Sequence, residues 1–179
     1  MKTSEIIEFE KKDPVTSDIY WVSAALTKDK HDRRPHVKFI YVKNGVFTAT
    51  DGNRLHVYQD SLSCKDGFYS VIKRNKTNVI LKFEGAGDVG MYPETESLLS
   101  TKDYNEPFLA FPEAGNCSGP YAHIARAMES GALNYNFLAD LFLTGDHFDV
   151  FIKDAESPVI FKNGKKTAAL MPMRSIEPS

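Results

Sequence analysis

Val42-Lys43-Asn44-Gly45-Val46-Phe47-Thr48-Ala49-Thr50-Asp51-Gly52-Asn53-Arg54-Leu55-His56-Val57-Tyr58 is the stretch that sets the fold class. Asn44-Gly45 is the dipeptide best suited to a two-residue hairpin, because both central residues of that turn need positive φ. Val37 to Val42 reads as the strand entering it, Val46 to Ala49 as the returning strand, and Leu55 to Tyr58 as a third. Asp51-Gly52 between the last two makes a tight turn, in which glycine relieves the positive-φ penalty and leaves backbone groups open.

Working outward, Thr16 and Ser17 are N-cap candidates for a helix carrying Ile19, Val22 and Leu26 on one stripe. A polar loop from Lys28 to Arg34 follows, stopped by Pro35. Tyr69 to Ile72 and Val79 to Phe83 form a second hairpin around Arg74-Asn75-Lys76-Thr77. Gly85, Gly87 and Gly90 break the pattern, and the chain to about residue 117 reads as a connector with one or two short strands. Pro120 suits the first turn of a helix bearing Tyr121, Ile124 and Met128, with Gly131 as its stop. Asn134 caps a second helix with Phe137, Leu138, Leu141 and Phe142, closed by Gly145. Three strands complete the chain: Phe148 to Lys153, Val159 to Lys162 and Thr167 to Leu170, with Asn163-Gly164 turning between the last two. The expected fold is α+β, with two pseudo-repeated helix-plus-antiparallel-sheet halves. The 179 residues are expected to form a single domain: a first half to about residue 84, the connector over 85–117, and a second half over 118–179.

Composition narrows the function classes. A hydrophobic fraction of 42% supports a core and argues against a disordered chain. A net charge of −2 excludes a polycation that coats nucleic acid, so any DNA contact must be local. No segment reaches the ~20 apolar residues of a membrane span. Met1 to Glu5 lead into charged residues rather than a signal peptide, and two cysteines make no disulfide framework, so a cytoplasmic location is expected. The five histidines lack zinc-ligand spacing. The glycines at 85, 87 and 90 match neither phosphate-binding pattern. No Gly-x-Ser-x-Gly elbow occurs. Neither an enzyme nor a cofactor is expected.

Ala49-Thr50-Asp51-Gly52-Asn53-Arg54-Leu55 resembles the corresponding segment in the middle domain of bacterial DNA-polymerase sliding clamps (the polymerase III beta subunit), where it also follows a hairpin strand. Arg34-Pro35 matches that family in place and spacing. Asn134-Tyr135, Phe137-Leu138, Ser157-Pro158-Val159 and Ala169-Leu170-Met171-Pro172-Met173-Arg174 resemble, in order, the second half of a clamp's last domain. Met91-Tyr92-Pro93-Glu94 is a weaker echo. Two departures stand out. A clamp subunit has three domains where this chain has room for one, and Asn53 stands where the family usually has histidine.

The resemblance implies a DNA-clamp-like fold and a processivity factor that binds short peptides of polymerase, clamp-loader or repair partners, with double-stranded DNA as a further partner. It implies a peptide pocket built from Thr50, Gly52, Asn53, Arg54, Leu55, Ser157, Leu170, Met171, Pro172, Met173 and Arg174. There Thr50 offers a hydroxyl, Arg54 a cationic rim, Leu55 an apolar wall, and the methionines an adaptable surface. The two motifs must share one groove, within a subunit or across a head-to-tail junction of a homo-oligomer. Lys28, Lys30, Arg33, Arg34 and Lys38 form the best DNA-binding patch; smaller groups are Lys73, Arg74 and Lys76, and Lys162, Lys165 and Lys166. On spacing alone, 50–55 also fits an ordinary strand-to-strand turn, and 171–174 a frayed strand end. A reduced clamp from a phage or mobile element, and a peptide-binding adaptor or decoy that never surrounds DNA, both fit the sequence. The second is favoured by helices poor in lysine and arginine.

Overall fold

In the computed structural model, Asn44 and Gly45 have φ of 51° and 75° and join β2 (Ile40–Lys43) to β3 (Val46–Thr50) in the expected two-residue turn. The structure describes residues 5–86, 92, 95–113, 116–129 and 131–173. The chain divides into two units, Met1–Pro93 and Glu94–Ser179.

The first unit adds β1 (Ile6–Glu10), α1 (Thr16–Ser23), a 3-10 turn (Pro35–Lys38), β4 (Arg54–Gln59), β5 (Gly67–Asn75) and β6 (Asn78–Gly85). Its strands lie in the order β1-β6-β5-β2-β3-β4, each pair antiparallel. α1 packs on β3, β4, β5 and β6. Ile19, Trp21 and Val22 of the helix are buried with Ile40, Val42, Phe47, Val79 and Leu81 of the strands. Each such side chain contributes roughly 1.5–3 kcal/mol by leaving water. His56 on β4 is a core residue, stacked on Trp21 at 4.3 Å with Nδ1 3.0 Å from the Trp21 carbonyl. Tyr92 packs on the other face, stacked on Tyr41 at 4.9 Å and beside Phe68 and His36, and its burial raises the phenol pKa.

The second unit contains β7 (Phe108–Ala110), α2 (Ser118–Ala127), α3 (Tyr135–Leu141), β8 (Phe148–Phe151), β9 (Val159–Asn163) and β10 (Lys166–Leu170). Its strands lie in the order β10-β9-β8-β7, again antiparallel. Leu138 and Leu141 are buried with Phe148, Val150, Phe161, Ala168 and Leu170. The chain before β7 is tied down by Tyr104, whose hydroxyl donates to the Pro158 carbonyl at 2.9 Å, and by Asn105, whose N–H donates to the Ile152 carbonyl at 3.2 Å. The α+β class and its two helix-plus-antiparallel-sheet parts are as expected. Among the described residues no helix is long and apolar enough to cross a membrane.

Several local expectations are corrected. Neither Thr16 nor Ser17 caps α1: Val15 holds that position, and Thr16 Oγ1 donates instead to the Glu10 carbonyl at 2.5 Å. Leu26 falls beyond the helix. Residues 35–38 coil into the 3-10 turn because Pro35 starts one, so β2 begins at Ile40, not Val37. The turn between β9 and β10 is Gly164-Lys165, with Asn163 already paired to Lys166 and φ of 51° at Gly164. β8 ends at Phe151, short of Lys153. The strand β1 was not expected at all. Asn134 does cap α3, accepting the Asn136 N–H at 2.9 Å.

Candidate functional site

The segment from Thr50 to Leu55 is a turn whose polar groups bind one another. Thr50 Oγ1 donates to the Arg54 carbonyl at 2.6 Å and accepts the Gly52 N–H at 3.0 Å. Asp51 Oδ1 accepts the N–H groups of Asn53 and Arg54 at 2.9 and 3.1 Å, and its Oδ2 pairs with Arg54 Nε at 2.9 Å. Gly52 has φ of 93°, and a Cβ there would meet the Arg34 guanidinium. That guanidinium donates to the Asp51 carbonyl at 2.9 Å and grips Asp32 at 2.8 and 3.1 Å. The side-chain and backbone hydrogen bonds from Arg34 bring the Asp32 pKa down to about 2.

Two roles change as a result. Arg54 is 3% exposed, so it is the buried half of an ion pair with Asp51 rather than a cationic rim, and Leu55 is a core residue rather than an open wall. Gly52 and Asn53 are the exposed members of the turn. Arg34 is engaged in closing this turn, a role sequence reasoning missed although Asp32-x-Arg34 offered the pairing.

At the other end of the chain, β10 leaves its ladder at Leu170, which pairs with Val159 and is fully buried, so it supplies core rather than surface. Met171 and Met173 then stand 38% and 50% exposed around Pro172. One backbone hydrogen bond, from the Met173 N–H to the Ala132 carbonyl at 2.8 Å, fixes the segment. Ser157 lies at the same end of the β9–β10 ladder, but its hydroxyl donates to Asp154 at 2.8 Å within a turn. The Ser157 hydroxyl and the N–H groups of Ser157 and Glu156 lower the Asp154 pKa. Arg174 lies outside the described residues, as do Met91, Pro93 and Glu94 of the weaker echo, and Gly87 and Gly90.

Lys28, Lys30, Arg33, Arg34 and Lys38 are all exposed. The loop is held by Asp29, which accepts the His31 N–H at 2.8 Å, and by Lys38, whose Nζ donates to the Lys30 carbonyl at 3.3 Å. Of the smaller basic groups, Lys166 is withdrawn from solvent, 6% exposed and 2.5 Å from Asp146. Asp146 is thus the ion-pair partner of Lys166, and Asp149 lies within β8. Among the described residues no group of three or more His, Cys, Asp or Glu side chains is placed to hold a metal ion.

This architecture is the sliding-clamp fold. Its solved neighbours include the DNA polymerase sliding clamp of Bacillus subtilis (TM-score 0.61, 13% identity, covering 98% of this chain and 66% of that one). The DNA polymerase III subunit beta of Pseudomonas aeruginosa gives a TM-score of 0.57 at 13% identity, covering 94% of this chain and 66% of that one. A third, the Helicobacter pylori beta clamp, was solved bound to a DNA ligase peptide; the TM-score is 0.56 at 13% identity, with 97% and 67% of the chains covered. The chain thus spans about two thirds of the length of these clamps. No family model matches the sequence, and no curated protein matches it.

Proposed function

We propose that this protein is a non-enzymatic DNA-replication accessory protein of sliding-clamp type, which binds short peptide segments of polymerase, clamp-loader or repair proteins. The observation that carries the reading is the pair of exposed methionines, Met171 and Met173, on a clamp fold. Unbranched, polarizable side chains held at a strand end suit an apolar peptide tail and adapt to several sequences. Gly52 and Asn53 are the members of the 50–55 turn open to a ligand, and the Lys28–Lys38 loop supplies exposed cations for phosphates in a sequence-independent, salt-sensitive way. Head-to-tail self-association is supported by outer strands that carry exposed apolar side chains, Ile6 on β1 and Leu109 on β7, followed by Phe111.

The second reading, an adaptor that binds peptides without surrounding DNA, is favoured by the helices. α1 and α3 carry no lysine or arginine, and α2 carries only Arg126. A ring lined by such helices would offer little attraction to a polyanion.

Binding of a fluorescein-labelled copy of the ligase peptide bound by the Helicobacter pylori clamp tests the shared part of both readings. Saturable binding that Met171→Ala weakens is expected; unchanged affinity in Met171→Ala and Met173→Ala would remove the tail from the site. Light scattering separates the two readings, a closed oligomer supporting the clamp and a monomer at high concentration the adaptor.

A further inference from the structure

The sheet of the first unit has an open stretch along one strand. β5 runs from Gly67 to Asn75 and pairs with β6 along nearly its whole length. On its other side β2 covers it only at Gly67, Phe68 and Tyr69, because residues 35–38 coil instead of extending β2. From Ser70 to Arg74 that side has no strand partner among the described residues. Backbone N–H and C=O groups of an antiparallel strand point alternately to its two sides, a pattern interrupted here by the register shift between Val71 and Lys73. On either side of that shift the stretch presents donors and acceptors away from β6. A cavity of about 420 Å³ lies beside it, lined by Val71 and Arg74 of β5, Leu26 after α1, and Lys28, Lys30 and Lys38.

We propose that this cavity is a docking groove for an acidic, extended peptide of a partner protein, which adds as a strand to the open side of β5. The backbone ladder supplies affinity and the lysines supply selectivity. Four cations line the groove against one acid, Asp29, whose Oδ1 already accepts a backbone N–H. Arg74 is held in position, its Nε donating to Ser23 Oγ at 2.8 Å and its guanidinium 4.4 Å above the Tyr20 ring. Cationic side chains beside an open strand repel basic strands and must be desolvated against neutral ones, and so guard it against indiscriminate pairing. An acidic strand removes that repulsion. Leu26 and Val71 give its alternate residues an apolar wall.

Nucleic acid fits less well. Phosphate accepts hydrogen bonds but cannot donate them, so the outward carbonyls of β5 would stay unpaired. No aromatic ring lines the cavity to stack a base.

The test is fluorescence polarization of the whole chain with a labelled Glu-Val-Glu-Val-Glu peptide, its backbone N-methylated counterpart, a Lys-Val-Lys-Val-Lys peptide and a short labelled duplex. The acidic peptide is expected to bind saturably. Lys30→Glu with Lys38→Glu should weaken it about tenfold, as loss of complementary charge at an interface does. N-methylation, which removes the strand's donors, should abolish binding. Met171→Ala should leave it unchanged, which keeps this groove distinct from the tail and from the peptide-binding part of the clamp reading. Equal binding of the N-methylated peptide would reduce the site to bare charge and overturn the proposal. So would failure of the acidic peptide while the duplex binds through the same lysines, which would give the cavity to nucleic acid.

Discussion

The turn at 50–55 and the tail at 170–173 both resemble clamp motifs, yet they use their side chains in opposite ways. In the turn, Thr50, Asp51, Arg54 and, from outside, Arg34 satisfy one another, and little polar capacity faces outward. In the tail, a backbone hydrogen bond to Ala132 holds a segment whose two methionines face solvent. Motif likeness alone therefore does not separate residues that build a surface from residues that use it. Counting which groups are already partnered does.

The sharpest way to break this contrast is Asp51→Ala. It removes the carboxylate that pairs with Arg54 Nε, on a side chain 2% exposed, and it frees two backbone donors. Breaking a buried ion pair from one side costs roughly 3–5 kcal/mol, and urea unfolding should show a loss of that size. A loss under 1 kcal/mol would mean the pair is not what holds the turn. Next comes Gly52→Ala, for which φ of 93° and the nearby Arg34 guanidinium predict a loss of about 1–2 kcal/mol by the same assay. The tail should behave in reverse. Met171→Ala with Met173→Ala should leave stability within about 0.5 kcal/mol, as exposed substitutions usually do, while weakening the labelled ligase peptide. A large stability loss there would make the tail structural too.

The smallest effect is electrostatic. The folded pKa of Asp32, about 2, lies below the ordinary carboxylate value near 3.9. A depressed carboxylate stabilises the fold above its unfolded pKa and loses that contribution as pH falls through the folded one. The Arg34 clamp should therefore be intact above pH 4 and released toward pH 2. A carbon-13 titration of the Asp32 carboxyl with an inflection near 4 would show that the clamp does not form in solution.

Local chemistry was legible in the sequence where one dipeptide or cap decides the backbone. Asn44-Gly45 requires its turn, and Asn134 supplies the acceptor its helix needs. What could not be read depends on distant partners. β1 shows no sign of itself, since only Phe9 of its residues is buried and its pairing lies with β6, some seventy positions on. The Gly164-Lys165 turn was displaced by one residue because Asn163 suits a turn by type yet is paired in the ladder. At the site, the sequence reading made Arg54 a cationic rim and showed neither its pairing with Asp51 nor its withdrawal from water. Nor does any local pattern join Arg34 to the Asp51 carbonyl, seventeen residues away.

Trp21 is the sole tryptophan of the chain, and it lies wholly inside the first unit against the His56 ring. Its emission is therefore a built-in reporter for that unit alone. Denaturation followed at this wavelength tracks residues 1–93, while far-ultraviolet circular dichroism averages over the entire chain. Two curves that separate would reveal independent melting of the halves, without any label being introduced.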